Sequence, residues 1–302
     1  MKKIAVIGVP SSAGARRIGQ ERAPQSFRRA GLIEKIRSSG LEVIDFGDLP
    51  EVTYHPDPKH PKQQNLSLVR DVATRVAEQV QLALDQQVKP IVLGGDCTIT
   101  LGVLASLVNK FPNLGLLYFD GDVDLNTPEV TLSGIFDGMV IAHIIGQGAY
   151  ELTHITQRYP LMPEEKILLF GYNPEAGWID PAEIQRLDHS SMLKYPITQV
   201  RGNLNEAPRD ALAQLEDRVE QYLVHFDVDV IDFSDLPAAD VPHEQGFGFV
   251  EAMEILSIFV SSPKFAGLVI TEFNAERDED GILAQRLVNG VANSLEEGYK
   301  YW

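Results

Sequence analysis

LLYFDGDVDLNTPE, residues 116–129, decides the reading of this chain: an apolar run delivers three carboxylates, Asp120, Asp122 and Asp124. A second stretch repeats the pattern, YLVHFDVDVID at 222–232, with Asp227 and Asp229. Side chains two residues apart in a strand point to one face, so each run, read as strand, converges its carboxylates on one spot. Asp is also common at strand ends and in turns, which gives a single D-x-D the plain reading of a solvated strand end. Two such runs behind two apolar strands are different. Clustered carboxylates resist ionisation unless a cation or hydrogen-bond donors compensate them, so the pair points to a metal site.

Outward from these runs, short β-branched segments alternate with segments of helical spacing. Strands are expected at Lys3–Val9, Leu41–Phe46, Pro90–Leu93, Leu114–Phe119, Lys166–Phe170, Leu223–Asp227 and Ala266–Glu272, with a shorter one near Met192–Tyr195. Helices are expected at Pro24–Ser39, Leu66–Gln87, Thr98–Lys110, Asn205–Gln221, Phe249–Ser261 and Gly281–Tyr299. The alternation predicts an α/β fold of three layers, α-β-α, with a mostly parallel central sheet in one domain spanning 1–302. Ligands of such sheets bind beyond the carboxyl ends of the strands. The polar clusters at 10–19, 94–98, 120–126, 171–176, 227–232 and 272–280 all fall there.

The 302 residues carry 26 Lys and Arg against 43 Asp and Glu, a formal charge of −17 that argues against nucleic acid and anionic membrane as partners. Hydrophobic content of 44% is that of a chain with a substantial core. No stretch approaches the ~18–20 uninterrupted apolar residues of a membrane span, and Met1-Lys2-Lys3 before IAVIGVP lacks a cleavage pattern. The expectation is a cytoplasmic protein. Cys97 is the sole cysteine, so no intrachain disulfide can form. A lone Cys is commonly a small buried apolar residue, and this one sits in a polar motif, GGDC.

With these residues laid out, the chain resembles the arginase and agmatinase (ureohydrolase) family over nearly its whole length. The resemblance rests on IGVPSSAGARRIGQERAPQSFRRAGLIEKI at 7–36, GGDC at 94–97, FDGDVDLNTP at 119–128, SGIFDGM at 133–139, FDVDVID at 226–232 and ITEFN at 270–274. It implies hydrolysis of a guanidino or amidino C–N bond by a metal-bound hydroxide, with two Mn2+ ions as cofactor. It also implies a trimer or hexamer. Carried over by position, Cys97, Asp120, Asp124 and Asp227 surround one ion, and Asp120, Asp122, Asp227 and Asp229 the other. Asp137 takes the proton-shuttle position and Glu272 that of the acid pairing with the guanidinium. Asn126 and Ser133 match positions that hold the amino acid end of the substrate.

The family carries His where this chain has Cys97, Asp122 and Asp137. Two neutral imidazoles are thereby exchanged for a thiol and a fifth carboxylate, which makes the shell more negative than two divalent ions. Such a shell opposes ionisation of a bridging water unless a cation offsets it, and Arg16 or Arg17 is the expected source. Carboxylates suit Mn or Mg, whereas a thiolate favours softer ions such as Zn. Ile135 and the loop FGYNPEAG at 170–177 depart from the arginase pattern, which argues against L-arginine as substrate. Three readings stay open: a guanidino hydrolase, a linear amide hydrolase on the same scaffold, and a catalytically silent protein with an altered or single-metal site acting in regulation or assembly. His143, His225 and His243 are candidates for the missing imidazole; His225 shares the strand face of Asp227, one step deeper in the sheet, and His243 lies in a loop. Tyr299–Trp302 is expected either to cap the last helix or to meet another subunit.

Overall fold

A computed structural model describes residues 3–302; Met1 and Lys2, part of the expected amino-terminal stretch and of the 1–302 span, lie outside the described residues. Eight strands form the central sheet: β1 (Lys3–Gly8), β2 (Glu42–Asp48), β3 (Lys89–Leu93), β4 (Leu114–Phe119), β5 (Ile167–Phe170), β6 (Leu193–Tyr195), β7 (Gln221–Asp227) and β8 (Phe265–Thr271). Their order is β2-β1-β3-β8-β7-β4-β5-β6, and the pairings between them are parallel. The parallel expectation holds for all eight named strands.

Parallel neighbours require crossovers, and helices supply them. They are α1 (Ala23–Arg29), α2 (Leu32–Ser38), α3 (Leu66–Asp85), α4 (Ile99–Lys110), α5 (Val140–Ile144), α6 (Tyr150–Thr153), α7 (Pro181–His189), α8 (Ile197–Val200), α9 (Ala207–Glu216), α10 (Phe249–Val260) and α11 (Ile282–Gly298). In α3 the buried residues Val69, Val72, Ala73, Val76, Val80, Ala83 and Leu84 recur every three or four positions, which gives one face to the core.

Each strand feeds both layers because its side chains alternate. In β4, Leu117 and Phe119 join one apolar cluster with α10 and α11, while Leu116 and Tyr118 join the other with α3 and α4. The first cluster is rich in aromatic rings: Phe119 meets Phe170, Phe226, Phe247 and Phe259 at centroid distances of 5.7, 5.5, 5.9 and 5.6 Å. At the carboxyl terminus, the Trp302 ring stacks on Phe265 at 4.9 Å and its Nε1 donates to the Val260 carbonyl at 2.7 Å. These contacts tie the chain end to α10 and β8.

Several elements depart from the expected pattern, among them the short helices α5, α6 and α8, none of which was expected. The helix read at 24–39 is split into α1 and α2, because Gly31 adopts a left-handed φ of 79° between them. Helix α7 was absent from the reading, since its buried stripe is only Glu183 and Leu187. Its start was nonetheless written locally: Asp180 accepts the Ala182 N–H, and Pro181 occupies the first turn.

The four central strands, β3, β8, β7 and β4, stand side by side although they are far apart in sequence. Chain order reverses there, so their carboxyl ends open into one crevice. No helix among the described residues is long and apolar enough to cross a membrane. Phe259→Ala, which removes a fully buried ring lying 5.0 Å from Phe170 and 5.6 Å from Phe119, is expected to destabilise the fold by about 3–5 kcal/mol in urea denaturation.

Candidate metal centre

The carboxylates do converge, but not through a strand pleat. β4 ends at Phe119, and residues 120–126 form a loop in which Asp124 takes a left-handed φ of 47°. Backbone donors fold this loop onto its own acids. The Asp122 N–H donates to Asp120 Oδ1 at 2.7 Å, and the Gly121 N–H donates to Asp229 Oδ1 at 3.1 Å. β7 carries the second run only as far as Asp227; a 3₁₀ turn follows, where the Asp229 N–H donates to Asp227 Oδ1 at 2.8 Å. Carboxylates that accept backbone N–H groups in this way are held in fixed orientation.

Three groups of ligand-type atoms gather at the strand ends, each with its atoms within 4.8 Å of one another. Cys97, Asp120, His225 and Asp227 form the deepest, all buried. Asp122, Asp229 and His243 form the second, nearer the surface through Asp122. Cys97, Asp137 and Glu272 form the third and share the thiol with the first. Cys97 Sγ donates to Asp227 Oδ2 at 2.8 Å and lies 3.6 Å from His225 Nε2. The His225 Nδ1 meets the Thr100 hydroxyl at 2.8 Å, and its ring stacks on Tyr118 at 4.0 Å, so this imidazole is fixed with Nε2 toward Asp120 Oδ2, 3.4 Å away.

Burial and mutual repulsion dominate the electrostatics. Burial, then the neighbouring Asp120, pushes Asp227 up to about 8. Burial first, and then Asp227 and Asp120, hold Asp229 well above the carboxylate range; burial with Asp120 does the same to Asp124. Glu272 is raised by burial and then by Asp137, and Asp137 by burial and then by Asp96. Asp137 keeps some surface at the rim, yet protein packed around it and the nearby acids act in the same direction. Burial, then Asp227, raises the Cys97 thiol well above its ordinary value. Burial lowers His225, whereas at His243 burial is outweighed by the Asp122, Asp120 and Asp227 carboxylates together, which raise the imidazole. All of these carboxyl shifts express one demand: the cluster takes up positive charge, as protons or as metal ions.

Unpaired atoms lie where a cation would bind. Asp120 Oδ2, Glu272 Oε1 and His243 Nε2 are buried without a hydrogen bond. The donor set of carboxylate oxygens, imidazole nitrogens and one sulfur fits a divalent transition ion. Among the described residues, no lysine or arginine pairs with Asp120, Asp122, Asp227, Asp229 or Glu272. Arg17, expected to offset the shell, pairs instead with Asp240 at 3.6 Å, and Arg16 is exposed.

The remaining expected residues stand around this centre. Asp124 accepts a hydrogen bond from the Tyr118 hydroxyl and belongs to none of the three groups. Asp137 Oδ1 accepts the Cys97 N–H at 2.8 Å. Glu272, with a left-handed φ of 66°, accepts from Gln20 Nε2 at 3.2 Å. Asn126 Nδ2 donates to Glu183 Oε1 at 2.6 Å, while the Ser133 hydroxyl stays within its own loop beside Thr131 at 3.3 Å.

Sequence reasoning left Trp178 out of this site and gave His225 and His243 only as candidate imidazoles. His225 carried a signal, its shared face with Asp227, but its depth matched Cys97 only because β7 and the loop after β3 are brought together in space. His243 was a candidate only through its place on a loop after the second aspartate run, and Trp178 carried no signal. Trp178 Nε1 donates to Asp122 Oδ1 at 2.9 Å, and its ring meets the edge of His243 at 4.8 Å. Both arrive on loops, after β5 and after β7 respectively.

A sequence profile of the arginase family matches residues 2–295. The arginase of Bacillus subtilis (strain 168) is 30% identical over 265 residues, covering 84% of this chain and 86% of that protein. The arginase of Bacillus caldovelox is 27% identical over 282 residues, 92% of this chain and 93% of that protein. The solved native structure of Bacillus caldovelox arginase at pH 5.6 superposes with a TM-score of 0.90 at 26% identity, over 98% of each chain. Formimidoylglutamase of Bacillus subtilis shares the fold, with a TM-score of 0.76 at 17% identity, over 98% of this chain and 87% of that one.

Cys97 is 2% exposed and donates to a carboxylate, two reasons for its sulfur to be a poor nucleophile. Titration of the native protein with a thiol-specific disulfide reagent is expected to leave Cys97 unmodified, and full modification should follow only on denaturation. Rapid reaction in the native state would refute this placement.

Proposed function

The chain belongs to the arginase family, and we propose that it is a metal-dependent hydrolase that cleaves a C–N bond of a guanidino or amidino compound. One observation carries the reading: a buried carboxylate cluster in which Asp120 and Glu272 each keep an unpartnered oxygen. Burying charge without compensation costs several kcal/mol per group, so such a site gains most from positive charge on metal and substrate. Cys97, Asp120, Asp122, Asp124, Asp227 and Asp229 are the proposed ligands of two divalent cations. Manganese is the first candidate, because five of the six offer oxygen. When bound, the cations supply the Lewis acidity that makes water a nucleophile near neutral pH.

The chain's own side chains do the rest. Glu272 receives the cationic head of the substrate, since Gln20 occupies Oε2 and leaves Oε1 open. Asp137 stands within the same convergent group, oriented by the Cys97 N–H, where a leaving amine would collect its proton. Asn126 and Ser133 serve the far end. There the Asn126 amide is already shared with Glu183, a buried carboxyl that burial pushes up to about 7. A substrate carboxylate would meet that acid, so the proposed substrate has a neutral or amine tail rather than that of an α-amino acid.

A second reading, a catalytically silent member with an altered or single-metal site acting in regulation or assembly, draws on a single contact. The Cys97 thiol donates to Asp227 Oδ2 and so occupies an oxygen that a cation would otherwise use.

Addition of Mn2+ to the metal-free protein is expected to raise Tm, by about 2.7 kcal/mol of stability at a hundredfold excess over Kd, and chelation should reverse it. Asp120→Asn is expected to lose most of that gain in differential scanning calorimetry. A panel of guanidino and amidino compounds with carboxylate, neutral and amine tails tests the chemistry through release of urea or of the matching amide. The Mn2+-loaded protein is expected to hydrolyse an amine- or neutral-tailed member, and Glu272→Gln to lower kcat/KM by roughly 10–100-fold, the value of a charge-assisted hydrogen bond. No turnover of any member with both cations bound would reject the hydrolase in favour of the silent reading.

A further inference from the structure

We propose that His243 is a ligand of the second divalent cation, delivering from the loop after β7 an imidazole to the carboxylates of Asp122 and Asp229. The proposal rests on the metal-dependent reading above and adds a residue to it. His243 is 2% exposed, and its Nε2 makes no hydrogen bond although it faces the carboxylate cluster. Asp122 Oδ2 lies 3.3 Å from that nitrogen and Asp229 Oδ2 lies 3.7 Å away. The other oxygen of each carboxylate is already employed: Asp122 Oδ1 accepts the Trp178 N–H, and Asp229 Oδ1 accepts the Gly121 N–H. The two free oxygens and the free nitrogen therefore face one another, one donor atom from each side chain, all within 4.8 Å.

The surroundings preserve this arrangement. Trp178 packs against the edge of the imidazole and holds the carboxylate beside it, so one ring orients two donors. Gly121 leaves room on the opposite side, since a Cβ there would come within 2.8 Å of His243 Nε2. An imidazole serving only to fill space would have its nitrogen paired or turned to solvent, because an unpaired buried polar atom costs roughly 1–3 kcal/mol. The alternative of a bare counter-charge, an imidazolium between two carboxylates, needs a proton on Nε2 and no lone pair. Ligation needs the lone pair, and this difference separates the two.

Metal content after loading with Mn2+ and removal of excess, together with Mn2+ titration by calorimetry, tests the proposal without reference to turnover. The wild-type chain is expected to hold two equivalents. His243→Gln and His243→Lys are both expected to hold one tightly and to bind the second on the order of 100-fold or more weakly, since even the outer partners of ligands are worth 10–100-fold. Two equivalents of unchanged affinity in His243→Gln would overturn the proposal. Retention of the second equivalent in His243→Lys alone would overturn it in favour of the counter-charge. Should neither variant fold by circular dichroism, Gly121→Ala, which crowds the same nitrogen, is expected to weaken the second equivalent only, and unchanged binding there would overturn the proposal. A wild-type chain that binds no divalent cation would overturn the underlying reading as well.

Discussion

Carboxylates packed together in a dry crevice repel one another, and the arrangement of this protein turns on that repulsion. Asp120, Asp227, Asp229 and Glu272 are at most 2% exposed, and no lysine or arginine among the described residues pairs with them. Each would cost several kcal/mol to bury ionised and alone. The fold meets part of this cost with backbone N–H donors aimed at Asp120, Asp227 and Asp229. The rest is left unmet, which is the physical meaning of carboxyls raised by burial and by one another. Such unmet charge at the mouth of the central strands is what the proposed cations would answer.

The rest of the architecture serves that point. Four strands distant in sequence are adjacent in the sheet, so their loops share one crevice. Non-glycine residues in the left-handed region stand in these loops, Asp124 and Glu272 among them. Conformations of that kind cost about 1–3 kcal/mol each and persist only where the surroundings over-determine them. Here the surroundings are the Tyr118 hydroxyl on Asp124 and the Gln20 amide on Glu272. Cys97 and Asp122 both stand at this crevice, each within a group of ligand-type atoms. His225 stands beside the first of these and His243 beside the second, each presenting Nε2 to a carboxylate.

Much of this was legible in the order of residues. The apolar strands and amphipathic helices announced a parallel sheet, and the aspartate runs after Phe119 and Phe226 marked the crevice, because each element needs only its own period to declare itself. The convergence has another cause than the alternation of side chains along a strand. Alternation along a strand explained Asp120, Asp122 and Asp124 on paper, yet the strand stops at Phe119 and a turn gathers them. Helix α7 escaped notice for want of an apolar stripe, despite its Asp-Pro start.

What the sequence determined by itself is what local chemistry determines: the strands, the helices, and the carboxylates at the strand ends with Cys97 beside them. Which imidazoles meet those carboxylates was decided only by the tertiary structure. His243 stands fourteen residues beyond Asp229 and sixty-five beyond Trp178, and no periodicity links them. Their contact depends on how two separate loops close over the ends of β5 and β7, a matter of packing in three dimensions that the spacing of residues along the chain does not encode.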